Sequence, residues 1–273
     1  MTTVRTPAPP LAVRDKAATR ALSPMLTRLA EDRATGVLDR EHGTLYLAEG
    51  RVVHAESHLA PGLDVLLTAH GTLAAGAWRR AAAEAAGPLK AAELLWQAAL
   101  LPAGALELCH LDALYDAGFF ALAPSSTPGR FRCDSTPRLG PLPSVPVAAL
   151  ERETLRRRLL LHRLWPDPAA DSAPLIRADP AAAPAGTAPV APRQRAVLDR
   201  VDGVRTATEI ARNLRRQAFH TLVDVRRLAA AGHITPHPLA PLRTAPPPPP
   251  SPLPVTNPDI ALLKRLRDAL EAL

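Results

Sequence analysis

Apolar positions along the chain change period several times, and each change marks an element. Ser23 followed by Pro24 reads as an N-cap with proline at the first helical position, after which Met25, Leu26, Leu29 and Ala30 recur at helical spacing up to Gly36. From Thr35 to Ser57 the period shortens. Val37 opens a short run, Leu45 and Leu47 flank Tyr46, and Val52 and Val53 follow a turn at Glu49-Gly50, which predicts two or three antiparallel strands. Helical spacing returns with Leu63, Leu66 and Leu67, continues through the alanine-rich 73–86, and reappears at Leu94, Leu95 and Leu100, with Gly71 and Gly87-Pro88 as separators. Phe119–Leu122 and Gly129–Arg132, with Ser125, Ser126 and Pro128 between them, predict a second hairpin. Leu150 to Trp165 is an amphipathic helix stopped by Pro166. Leu155, Leu159, Leu160, Leu161 and Leu164 form its apolar side, and Arg152, Arg156 and Arg163 line another.

The spacing from Ala191 to His237 is the most specific in the chain. Val197, Leu198 and Val201 predict a helix ended by Gly203; Thr206-Ala207-Thr208-Glu209 is a capping box; and Ile210, Ala211 and Leu214 give the next helix its buried face. A third helix carries Phe219, Leu222, Val223, Val225 and Leu228 before Gly232. His233-Ile234-Thr235 can supply one strand, and Pro236 and Pro238 leave room only for a reduced wing. Past Pro246–Pro250, Asn257-Pro258 caps a terminal helix in which Leu263, Leu266, Leu270 and Leu273 repeat at three and four. So short a helix is marginal alone, and its stripe is expected to dock on the chain itself, on a second copy or in a partner's groove.

The resulting fold class is α+β: a small antiparallel sheet with helices in the N-terminal domain, linked to a three-helix winged-helix-like domain and a C-terminal amphipathic helix. The boundaries follow composition. Thirty-one prolines are too many for one compact unit, and they concentrate outside the periodic segments. Residues 1–19 read as a disordered tail, 20–165 as the N-terminal domain with its basic helix at 150–165, and 166–190 as a Pro/Ala linker. Residues 191–237 read as the helical module, 238–256 as a second linker and 257–273 as the last helix.

Charge separates the modules further. The net +7 is uneven: residues 21–133 hold nine Lys/Arg against twelve Asp/Glu, whereas residues 193–237 hold nine against four. A basic module can meet nucleic acid, an acidic protein or a membrane surface. The preference for arginine over lysine also fits a high-GC bacterial genome. No apolar run reaches a spanning length and no secretory leader is visible, so a cytoplasmic protein without a membrane partner is expected. Cys109 and Cys133 are isolated, which argues against a disulfide framework or zinc site.

The strings Thr35-Gly36-Val37-Leu38, Gly43-Thr44-Leu45-Tyr46-Leu47 and Glu49-Gly50-Arg51-Val52-Val53-His54-Ala55 resemble the bacterial DUF4388, or PatA-N-terminal-like, family over about residues 20–135. The resemblance implies a regulatory or signalling domain, not a catalyst. The segment from Val197 to Leu214 with Leu222 to Ile234 is likewise similar to the winged-helix modules of bacterial transcriptional regulators.

Candidate chemistry is sparse. His54, Glu56 and His58 alternate on one strand and could approach a metal together, but three ligands on one strand constrain little; the reading kept is no metal, with His54 packed at a strand edge. Cys109-His110 with Asp112 suggests a thiol dyad, yet neighbouring side chains diverge and another histidine would be needed; a core cysteine is the simpler reading. With no phosphate loop, metalloprotease helix or nucleophile elbow, no enzyme and no cofactor are expected. The function expected is a non-enzymatic DNA-binding transcriptional regulator with an N-terminal sensing or recruitment domain. Its third helix would enter the major groove with His220, Thr221 and Asp224 outward, and Arg212, Arg215, Arg216, Arg226 and Arg227 would lie near phosphates. Asp224 would repel the DNA backbone and sits badly with that arrangement. The alternative is a signalling adaptor that binds proteins through its N-terminal domain and through Leu263, Leu266, Leu270 and Leu273.

Overall fold

The structure, a computed structural model, describes residues 22–69, 71, 73–85, 87–133, 142–178, 189–237, 265 and 267–271. The N-terminal tail, the Pro-rich 238–256 and Leu263, Leu266 and Leu273 lie outside the described residues.

Ser23 caps α1 (Pro24–Glu31), its Oγ accepting from the Leu26 amide at 3.3 Å. Of the two or three strands expected next, three form: β1 (Gly36–Arg40), β2 (Gly43–Ala48) and β3 (Arg51–Glu56). Glu49 and Gly50 both have positive φ, the geometry that matches a two-residue hairpin turn to strand twist. Between β2 and β3 the pairing jumps from Tyr46↔His54 to Leu47↔Val52, leaving Val53 as an extra residue. Leu45 and Leu47 point into the core with Val52 and Ala55.

Four helices follow: α2 (Leu63–Ala69), α3 (Ala75–Glu84), α4 (Pro88–Gln97) and α5 (Ala103–Ala121). Phe119–Leu122, expected as a strand, forms the buried end of α5 and its C-cap. The short aromatic run fits either state, and here the whole last turn of α5 is buried, so no face is left polar to reveal a helical period. β4 (Arg130–Arg132) forms as expected but pairs with β1, and β5 (Val145–Pro146) closes the other edge. The sheet is antiparallel, in the order β4-β1-β2-β3-β5.

The basic helix α6 (Val147–Leu164) packs on α5. After it, part of the expected linker is structured: α7 (Ala169–Ser172) and β6 (Leu175–Arg177) bury Ala170, Ala173 and Leu175. Alanine and proline read as a spacer by composition, but small side chains are what a close helix contact requires. Three further helices then appear as expected, α8 (Pro192–Leu198), α9 (Ala207–Asn213) and α10 (Ala218–Ala230). The capping box of α9 is complete: Thr206 Oγ1 accepts from the Glu209 amide at 3.4 Å, and the Thr206 amide donates to Glu209 Oε2 at 2.8 Å. The strand β7 (Ile234–Pro236) pairs antiparallel with β6, upstream of the helices, and not with a later strand.

One apolar core runs from Leu26, Leu45 and Leu47 through Phe119, Phe120 and Leu150 to Val197, Ile210, Leu222 and Ile234. A smaller one joins α2, α3, α4 and the start of α5 through Leu63, Leu67, Leu89, Leu95 and Leu106. Residues to His237 form one contact unit, and 238–273 form another. The expected break between an N-terminal domain and a helical module therefore does not divide the core. The coarse α+β class, with an antiparallel sheet and many helices, is what the structure contains.

Candidate functional site

Helix α10 is central, touching α6, α7, α8 and α9. Ten of its thirteen residues are buried. Its N-terminus receives no cap from Gln217; instead Asp116, at the middle of α5, accepts from the Ala218 amide at 2.6 Å and the Phe219 amide at 2.8 Å. These are two of the orphan amides every helix start leaves behind. Burial pushes the Asp116 carboxyl up to about 6, against the two amides and Arg157, which favour the anion. Arg157 lies over the Phe219 ring, 4.5 Å from its centroid, and donates to Glu153 and to the Tyr115 carbonyl.

Of the residues expected to read DNA, Thr221 and Arg226 are buried and Arg216 is ion-paired, whereas Arg212, Arg215, His220 and Arg227 are exposed. Thr221 and Asp224 are fully buried, not outward. Asp224, expected to repel phosphate, holds Arg193 and Arg216 at 3.0 Å each. Arg226 is 4% exposed and clamps Asp171 through two contacts of 2.8 and 2.6 Å, while also donating to the Trp165 carbonyl. Arg212 donates to the His58 carbonyl and Arg215 to Thr68 Oγ1 at 2.9 Å, so both tie α9 and the turn after it to the sheet side. On α10 itself only His220, Arg227 and Ala230 are exposed, and His220 faces Asp112, with burial and then Arg157 lowering its pKa. The signal missed in the sequence was that an aspartate at 224, flanked by arginines, is an internal ion-pair hub.

The histidines form a different cluster. His54 on β3 is 2% exposed and stacks on His110 of α5, with ring centroids 5.7 Å apart and an interplanar angle of 17°. No ring nitrogen of either makes a hydrogen bond of good geometry; Glu56 Oε1 lies 3.4 Å from His54 Nε2, and the Val53 backbone lies beside His110. Tyr46 donates to the other oxygen of Glu56 at 3.0 Å. Burial, then Glu56, pushes Tyr46 up to about 12, and His54 holds Glu56 below the usual carboxylate range. Burial, then His54, pushes His110 down to about 4, so this stack is held neutral on the His110 side. His58 is exposed beyond the strand end and joins His42, 6.2 Å away, not the stack. No group of three or more potential metal ligands gathers among the described residues.

Cys109, Asp112 and His220 line one small pocket, which supplies the further histidine a thiol dyad would need. The chemistry runs the other way: burial and then Asp112 raise the Cys109 thiol, whereas a nucleophile needs it lowered. Cys109 is half-buried rather than a full core residue.

A cleft of about 920 Å³ opens where α5 and α6 meet α9 and α10. Leu59, Phe119, Phe120, Leu161 and Leu222 give it carbon surface, and His42, His58, His162, Arg158 and Arg212 give it polar edges. Nothing in the one-dimensional spacing pointed to it, because its walls come from segments more than a hundred residues apart. Of the leucines expected to bind a partner, only Leu270 is described, and it is 71% exposed. No helix among the described residues is long and apolar enough to cross a membrane.

The chain matches no protein-family model, no curated protein and no solved structure.

Proposed function

We propose that the protein is a non-catalytic regulatory adaptor whose three-helix unit is a structural part of a shared core, and not a reader of DNA. The observation that carries this is the burial of α10. A recognition helix must offer several consecutive turns of outward side chains to base edges, and here only His220, Arg227 and Ala230 of α10 are exposed. Of the five arginines counted as phosphate contacts, Arg216 and Arg226 are matched by Asp224 and Asp171, Arg212 and Arg215 are held by the neutral acceptors of His58 and Thr68, and Arg227 is exposed. The resemblance of Thr35–Ala55 to the DUF4388 family supports a regulatory role for the sheet, and the orphaned, raised-pKa or inward-facing candidates at Cys109, His54 and His110 offer no poised acid, base or nucleophile. The adaptor contacts a protein partner or a second copy through the stripe Leu263, Leu266, Leu270 and Leu273.

Two arms of one experiment test it on the full chain. Labelled duplex DNA, titrated between about 50 and 200 mM salt, is expected to show no saturable binding with the steep salt slope of a phosphate-contacting reader. Replacing the four leucines with glutamate is expected to abolish partner capture or self-association while leaving the melting temperature unchanged. A steep salt slope that flattens in Arg227→Gln would restore the DNA-binding regulator.

A further inference from the structure

Two guanidiniums on the cleft described above lack an anionic partner. Arg158 on α6 donates to the Leu122 carbonyl and Arg212 on α9 to that of His58; neither forms an ion pair among the described residues. Of the other charges at the cleft, Arg226 is matched by Asp171 while Glu209, hydrogen-bonded to Thr206, keeps its negative charge, so three arginines face two carboxylates. Arg40 donates to the Ala123 carbonyl, one residue beyond the one that binds Arg158, and its proximity adds to the positive field there. Burial, then Arg40, makes Arg158 a less comfortable cation than it is in water. An anion placed between these groups would be attracted more strongly than at an open surface, because the surroundings screen less.

The remainder of the cleft is apolar, with Phe119, Phe120, Leu161 and Leu222 along it. Its volume of about 920 Å³ falls in the range of small-molecule sites, and a carbon-lined cleft edged by arginines without a counter-charge is complementary to a molecule with one charged end.

We infer that this cleft binds a small amphipathic organic acid, its carboxylate paired with Arg158 and Arg212 and its apolar body lying against Phe119, Phe120 and Leu222. This goes beyond the adaptor assignment and does not depend on it. Because α5 and α6 form one wall and α9 and α10 the other, an occupant would brace the two halves of the core against each other.

Decanoate and decanol, titrated separately into the full-length protein by calorimetry, test the assignment. Decanoate is expected to bind once per chain and decanol about tenfold or more weaker, since only the charged head can form the charge-assisted hydrogen bonds. Arg212→Gln is expected to bring decanoate down to the level of decanol without changing decanol itself. Leu59→Trp, which fills the cleft without touching a charge, is expected to abolish both. Should Arg212→Gln prove unstable, Leu59→Trp decides alone. Equal binding of the two probes, decanoate binding untouched by Leu59→Trp, or no decanoate binding at millimolar concentration would each overturn the inference.

Discussion

Two buried titratable side chains on α5, His110 and Asp116, pull the stability of this protein in opposite directions as pH changes. His110 titrates near 6.5 in an unfolded chain and about 4 in the fold, where burial acts first and His54 second. Its contribution is therefore present above about pH 6.5 and is lost as pH falls through 4. Asp116 moves the other way, from about 3.9 unfolded up to about 6. Its proton-linked stabilisation is full below about pH 3.9 and is lost as pH rises through 6. Each shift corresponds to about 3 kcal/mol, so the two nearly cancel between pH 4 and 6.5. Relative to wild type, His110→Leu is expected to gain about 2 kcal/mol on moving from pH 7.5 to 4.5, and Asp116→Asn to lose a similar amount, as read from urea denaturation midpoints. Variants that track the wild-type profile across this window would show that neither group carries the coupling. Nothing in the linear order of residues hints at this opposition, because partners at positions 54 and 218 meet α5 only after the chain has folded back on itself.

Among the elements, what was legible in the sequence was what neighbouring residues decide. The Ser23-Pro24 cap, the Glu49-Gly50 turn and the Thr206–Glu209 box each close within four residues, and all three stand where the sequence put them. Elements defined by distant neighbours are not legible in this way: the end of α5 has the pattern of a strand, and α7 and β6 the composition of a linker, because their burial comes from segments that follow later. The same distinction bears on α10, whose helical period is legible but whose polar side keeps only His220, Arg227 and Ala230 exposed, with Thr221, Asp224 and Arg226 buried. Gly50 shows how tightly a local turn can be tied to a distant element. Its φ is +75°, and a Cβ there would sit 2.5 Å from the Ala30 carbonyl oxygen at the end of α1. Gly50→Ala therefore combines backbone strain with a clash and is expected to destabilise by about 1–3 kcal/mol, with the loss read as a lower midpoint in thermal or urea unfolding.

At the scale of the molecule, the three-helix unit does not own its core. Leu175 and Ala170 come from before it, Phe119 and Phe120 from α5, and the cap of α10 from Asp116. A fragment comprising residues 188–240 is expected to show little helical circular dichroism and no cooperative melt, whereas a chain of residues 20–240 melts as one transition. A folded, cooperative short fragment would mean that the shared core is dispensable.

That arrangement also sets an order of events during synthesis. Asp116 leaves the ribosome 102 residues before the Ala218 amide it must cap. At elongation rates of roughly 5 to 20 residues per second the interval is about 5 to 20 s. Throughout it Phe119 lacks the Phe219 ring that lies 5.7 Å from it in the finished fold, so the nascent chain passes through a sticky stage before α10 is made.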